Sequence, residues 1–146
     1  SIEEMVLEFG TPSTAQPLPK QYRKCRIKQC FANAARLVMD HPELTYNEGF
    51  ACSSDLPIPL HHAWCTDRKN HVVDVTWREN GKSENERAYV GIQFSTDWLC
   101  SLLVQNRVFG VFLDCYGDEK FNPLKHGLPV QALAKKIPNV RKTLDK

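Results

Sequence analysis

The stretch PLHHAWCTDRKNHVVDVTW, Pro59 to Trp77, decides how the rest of the chain is read. Two runs rich in β-forming residues, LHHAWCT (60–66) and HVVDVTW (71–77), flank the polar turn Asp67–Asn70, which is the pattern of an antiparallel hairpin. A turn centred there pairs residues whose numbers total about 136–138 and sets His62 near Asp74. Alternation along the strand turns His61 to the opposite face, so His61 is read as a surface or support residue. A register shifted by one would exchange the two histidines. Trp64 falls on the face of His62, where it fills core or shields an imidazole–carboxylate pair from water. Cys65 faces away from His62.

Upstream, KQCFANAARLVMD (28–40) reads as a helix. Ile27, Phe31, Ala34, Ala35 and Val38 recur at helical spacing along one face. The helix should stop near Asp40, because the residue before Pro42 is pushed out of helical geometry. Cys30 sits in its first turn, where unpaired N–H groups and the helix dipole favour a thiolate. Acyl transfer by a thiol needs such a sulfur, an imidazole to take and return its proton, and a third group to fix the imidazole's tautomer. Cys30, His62 and Asp74 are the candidates. For the oxyanion, the backbone N–H of Cys30 is one donor, and the side chain of Gln21 or Gln29 is a second; Gln21 is preferred because Gln29 directly precedes the sulfur. Asn33, one turn beyond Cys30, lines the site or caps a loop. Glu48 is expected at the rim, exposed to solvent.

The remaining chain supplies the frame. Gly10 to Lys20, with three prolines, reads as an irregular arm. LTYNEGFA (44–51) and RAYVGIQF (87–94) read as strands, STDWLCSLLVQN (95–106) as a helix capped by Ser95, RVFGVFL (107–113) as a strand and LPVQALAKKI (128–137) as a final helix. At 146 residues the chain is expected to be one domain: an arm (1–20), a core carrying Cys, His and Asp (28–77), and the remaining strands and helices (86–146). The order implies an α+β fold in which the nucleophile-bearing helix packs on an antiparallel sheet.

Nineteen basic and seventeen acidic residues leave a formal charge of +2, which gives no case for a nucleic-acid partner. The small basic clusters YRKCRIK (22–28) and RKTLDK (141–146) read as solvated surface. No run of eighteen apolar residues and no basic-then-apolar start occur, so the expectation is a cytoplasmic protein with no membrane partner. Six cysteines (Cys25, Cys30, Cys52, Cys65, Cys100, Cys115) permit disulfides, but the length and the start favour reduced thiols. There is no Cys-x-x-Cys pair, and a strand cannot aim His61, His62 and Cys65 to one side. Neither a metal nor a cofactor is expected.

QCFANAARL, LTYNEGFA, HAW and VVDVTW, taken together, resemble the transglutaminase-like branch of the papain-fold cysteine enzymes, in the short form associated with bacteria and phages. That pattern has a Cys opening a helix, a strand ending in a Gly-aromatic pair, a His-Ala-Trp strand, and a strand closing on Asp-Pro-Thr. The likeness covers Gln29 to Trp77, with Val75 where the family has proline and a short Cys–His interval. It implies a papain-like fold with Cys30 as nucleophile, His62 as general base and acid, and Asp74 as the orienting carboxylate. The expected activity is thiol-dependent acyl transfer on a peptide or protein amide through a thioester. Hydrolysis is favoured, as in a cysteine peptidase or glutamine deamidase, because so small a chain has little material for a second binding site. The alternatives are a transglutaminase or acyltransferase with an amine acceptor, and a non-catalytic peptide- or protein-binding module on the same fold.

Overall fold

The computed structural model describes residues 1–54, 58–77, 86–107, 109–111 and 127–134. They form an α+β fold around one antiparallel five-stranded sheet: α1 (Ile2–Phe9), β1 (Thr11–Ser13), α2 (Cys30–Asp40), β2 (Thr45–Ser53), β3 (Leu60–Thr66), β4 (Val72–Val73), β5 (Arg87–Phe94) and α3 (Thr96–Asn106), with a 3₁₀ turn at Val130–Ala132. The strand order is β1-β5-β2-β3-β4. Among the described residues no helix is long and apolar enough to cross a membrane.

Period-two patterning gives the sheet two apolar faces. Tyr46, Ala63, Cys65, Ile92 and Phe94 face the main core with Ala34, Ala35 and Val38 of α2 and Leu99 and Leu102 of α3. Ala51, Trp64, Val72 and Tyr89 form a smaller cluster on the other face, packed by Ala15 and Trp77. The sheet curls around this second cluster until its two edges meet. Thr14, following β1, donates its N–H to Asn70 O (3.1 Å) and accepts from Val72 N–H (2.8 Å), beside β4 at the opposite edge. Asn70 Nδ2 donates to Pro12 O, and Ser13 Oγ donates to Asn70 Oδ1. Edge groups that would otherwise be open to another chain are thereby spent.

Local sequence explains these elements, and in several places corrects the expectation. Ser1 and Glu4 form a capping box that starts α1. The Gly10–Lys20 arm is not wholly irregular: Thr11–Ser13 pair with Tyr89–Gly91, because a Pro at a sheet edge loses no ladder bond on its solvent side. The second helix begins at Cys30 rather than Lys28, since Lys28 adopts the left-handed region (φ 65°), and Ile27 therefore lies off the helix, 53% exposed. Residues 109–111 are not strand: Gly110 has φ 103° and Val111 N–H donates to a side chain, Glu48. RVFGVFL otherwise lies partly outside the described residues. Over 128–134 there is a 3₁₀ turn and not a helix, because Ala134 N–H and Leu133 are taken up by β5 at Gln93 and Phe94; residues 135–137 lie outside the described set.

The register puts Gly49 between His62 on β3 and Gly91 on β5. Two glycines side by side leave that row of the sheet bare, and the indole of Trp64 lies over it. A Cβ at Gly91 would fall 2.6 Å from Trp64 Cη2. Overpacking of this kind costs about 1–3 kcal/mol. Gly91→Ala is expected to lower stability by about that amount in urea unfolding, and by about half or less in a Trp64→Leu background, because the two sites share the clash.

Candidate active site

The loop after β4 joins the two faces of the sheet. β3 and β4 pair only at Cys65↔Val73 and Thr66↔Val72, residues whose numbers total 138, and the chain then leaves the ladder at Asp74. Its backbone and side chains meet the start of α2. Cys25 N–H donates to Val75 O (2.7 Å), and the buried amide of Asn33 donates from Nδ2 to both Arg26 O (2.7 Å) and Thr76 Oγ1 (2.9 Å). Asn33 is thus a brace: it locks the first turn of α2 and the segment before it onto the loop that carries Asp74.

Released from the ladder, Asp74 collects four donors. Oδ2 accepts from His62 Nε2 (2.8 Å) and from the Tyr89 hydroxyl (2.9 Å); Oδ1 accepts from the N–H groups of Thr76 (3.0 Å) and Trp77 (3.1 Å). Both members of the pair are buried, with 8% of His62 and 7% of Asp74 exposed. Trp64 stacks on the imidazole (centroids 6.0 Å, planes 19° apart), Trp77 meets it edge-on at 5.4 Å, and Arg87 lies 5.1 Å over the Trp77 ring. Trp64 is therefore both core, at 1% exposure, and the wall behind His62. With Nε2 given to Asp74, the Nδ1 nitrogen is left for another partner. Cys30, half-buried as the first residue of α2, lies near enough to His62 to be among the groups that raise its pKa.

The electrostatics follow from this packing. Burial opposes a charged imidazole, but the charge of Asp74, the hydrogen bond to it and the nearby Cys30 outweigh burial, and His62 is pushed up to about 9. Burial pushes the Asp74 carboxyl up, but the charge and hydrogen bond of His62 and the Thr76 and Trp77 N–H groups win, leaving it below the usual carboxylate range. The Tyr89 hydroxyl is raised by burial and by the same carboxylate. The raised imidazole stabilises the fold below its ordinary pKa of 6.5, and that contribution fades as pH climbs through about 9. The depressed carboxyl stabilises above its ordinary 3.8 and loses its effect as pH falls through the folded value. Between those limits the pair is charged on both sides.

The neighbouring histidine is committed elsewhere. His61 points to the main core face, where Nε2 lies 3.2 Å from Glu48 Oε1 and the ring packs on Phe31 (4.9 Å) and Phe50 (5.8 Å). Glu48 is not at an exposed rim: it is fully buried, and its Oε2 accepts from the Tyr46 hydroxyl and Val111 N–H, each at 2.7 Å. Each histidine of the pair thus has its own carboxylate on its own side of the strand. Among the described residues no group of three or more His, Cys, Asp and Glu gathers into a metal site.

Other sequence candidates fall elsewhere. Gln21 is exposed beside the Tyr22 hydroxyl, which donates to Glu43 and whose ring meets His41, at the C-terminal end of α2. That end is about 16 Å from Cys30 at 1.5 Å per helical residue, so Gln21 is not brought to the sulfur. Gln29 is exposed and caps α2 only through its carbonyl, which accepts from Asn33 N–H (2.8 Å). Among the described residues the cysteines form no disulfide; the Cys65 S–H donates to Ala34 O (3.3 Å) and burial pushes that thiol up. Cys115 lies outside the described residues. Tyr89 and Thr76 belong to the site without a sequence signal of their own. Tyr89 stands opposite Ala51, two residues from the glycine that faces His62, which is legible only once the β2–β5 register is known.

Comparison of the chain with family models, with curated proteins and with solved structures returned no match.

The paired charges make a direct prediction. In a histidine NMR titration His62 should titrate near 9 in the native protein, and below 6.5 in Asp74→Asn, where burial acts with no carboxylate to oppose it. Titration near 6.5 in both would show that the pair is not formed.

Proposed function

We propose that the protein is a thiol-dependent acyl-transfer enzyme acting on amide bonds, with Cys30 as nucleophile, His62 as general base and acid, and Asp74 as the group that orients the imidazole. The observation that carries the reading is the buried His62 Nε2–Asp74 Oδ2 hydrogen bond at 2.8 Å, with Cys30 acting on the same imidazole from the start of a helix. An intact set of this kind is more than a pure binding module needs. The likeness of QCFANAARL, HAW and VVDVTW to transglutaminase-like, papain-fold enzymes supports the same assignment.

In this mechanism the proton of the Cys30 thiol already rests on Nδ1 of the charged His62 when substrate arrives, and the sulfur attacks the amide carbonyl carbon. The C=O electron pair moves onto oxygen, where the backbone N–H of Cys30 is the available donor. Collapse breaks the C–N bond as His62 returns its proton to the leaving amine, and a thioester remains. Water, deprotonated by His62, then attacks the thioester; the thiolate leaves and a carboxylic acid departs. An amine in place of water would give a transamidated product. Water is favoured because the described residues form one sheet with its helices and leave little material among them for a second, acceptor-binding site. Asp74 stays ionised throughout, holding the tautomer in which Nε2 carries hydrogen and Nδ1 faces the sulfur. A cytoplasmic setting, which keeps thiols reduced, suits this chemistry.

The test is selective alkylation. At pH 7 iodoacetamide should modify Cys30 about tenfold or more faster than Cys25, Cys52 or Cys100, which are also half-buried. Cys30→Ala should leave the far-UV spectrum intact and remove the fast phase, and His62→Ala should slow it about tenfold or more. Cys30 reacting no faster than the other three thiols would overturn the assignment. Incubation with a glutamine-containing peptide then separates outcomes by mass: a gain of one mass unit means deamidation, and cleavage means peptidase action.

A further inference from the structure

The basic segment before the nucleophile has no role in the mechanism above. Lys20, Arg23, Lys24, Arg26 and Lys28 place five cations and no carboxylate within nine residues of a nearly neutral chain. All five side chains are exposed, and none is in an ion pair among the described residues.

A run of this sort on a free loop would be ordinary solvated surface. Here the backbone is held at both ends. At one end the buried Tyr22 ring packs on His41 and its hydroxyl donates to Glu43, beside the C-terminus of α2. At the other end Cys25 N–H is held by Val75 O and Arg26 O by Asn33, next to the loop bearing Asp74, and Lys28 is fixed in the left-handed region two residues before Cys30. The segment therefore runs along α2 for about 16 Å, from the far end of the helix to the sulfur. An extended peptide covers that distance in about five residues. The carboxylates at the two ends of the segment are engaged with other groups: Asp74 is buried against His62, and Glu43 is held by Tyr22 and His41, while Asp67, whose charge reaches Tyr22, faces His71.

We infer that the strip formed by Arg23, Lys24, Arg26 and Lys28 is a substrate-recognition surface that selects acyl donors carrying acidic residues within about five positions of the reacting amide. The inference rests on Cys30 being the nucleophile and adds the substrate class. An acidic peptide is favoured over a nucleic acid because the only aromatic ring in the segment, Tyr22, is buried and offers no face on which bases could stack. Attraction of this kind acts mainly on the association rate and is screened by salt.

The test uses three chloroacetyl-capped hexapeptides of one scaffold, flanked by Glu, Ser or Lys, with alkylation of Cys30 read by mass spectrometry. In each, the thiolate displaces chloride and forms a thioether. At low ionic strength the Glu peptide should modify Cys30 about tenfold faster than the Ser peptide, and the Lys peptide should be slowest. In 0.5 M NaCl the three rates should converge. In Arg26→Ser/Lys28→Asn the Glu advantage should fall several-fold, while the far-UV spectrum and the rate with neutral iodoacetamide stay unchanged. The salt series on the native protein decides the matter even if that variant misfolds. Equal rates for the three peptides, with Cys30 still fast towards iodoacetamide, would overturn the strip's role and leave the nucleophile standing. Slow reaction of Cys30 with every reagent would overturn both. Salt-sensitive binding of single-stranded RNA, lost in the same variant while peptide charge has no effect, would reassign the strip to nucleic acid and overturn the acidic-peptide inference.

Discussion

A charged imidazole and a charged carboxylate, both nearly closed to water, are the constraint around which this fold is arranged. Removing two ions from water costs several kcal/mol each, and their attraction offsets this only where the remaining lone pairs and protons are satisfied. Asp74 meets the condition with four donors from three directions: an imidazole across the hairpin, a tyrosine from β5 and two N–H groups from its own loop. That arrangement is possible because β4 is only two residues long, which lets the chain turn inward at position 74. It also needs the sheet to curl, since Tyr89 reaches Asp74 only when β5 and the end of β4 approach one another across the second apolar cluster. The closure through Thr14 and Asn70 holds that curl.

The same loop explains how a helix on one face of the sheet serves a histidine on the other. α2 packs against the main core, yet its first turn is tied to residues 75 and 76 through Cys25, Asn33 and Arg26. Position 30 is thereby fixed at the edge where the two faces meet. His61 cannot substitute, because its ring is turned to the main core and faces Glu48. The two adjacent histidines thus have separate partners: one is paired with Asp74, and the other helps to anchor β2, β3 and the segment at Val111 around a buried carboxylate.

The parts legible in the sequence were those set by short-range pattern. Alternation and a four-residue turn were enough to put His62 and Asp74 on one face of neighbouring strands, but their contact comes from the chain leaving the ladder at Asp74, since the observed register continued would set His62 opposite position 76. Helical spacing was enough to place Cys30 in a first turn, to within two residues of the true start. Long-range closure was not legible. Thr11–Ser13 look like part of a proline-rich arm, and only the distant β5 makes them a strand. Glu48 sits in a strand pattern that gives no hint of burial; its partners Tyr46, His61 and Val111 are brought together by the sheet and by the segment after α3. Gln21 was a reasonable amide donor by distance along the chain, but Tyr22 anchors that segment at the wrong end of the helix. The α-helix expected after Pro129 gives way to a 3₁₀ turn because β5 takes the backbone partners of Leu133 and Ala134.

The measurement that bears most directly on this account is a crystal structure of the protein after reaction with a peptide-like electrophile. The account requires the adduct on the sulfur of residue 30, with Nδ1 of His62 facing that sulfur and Nε2 bonded to Asp74. An adduct on another cysteine, or an imidazole at position 62 turned away from a modified Cys30, would contradict it.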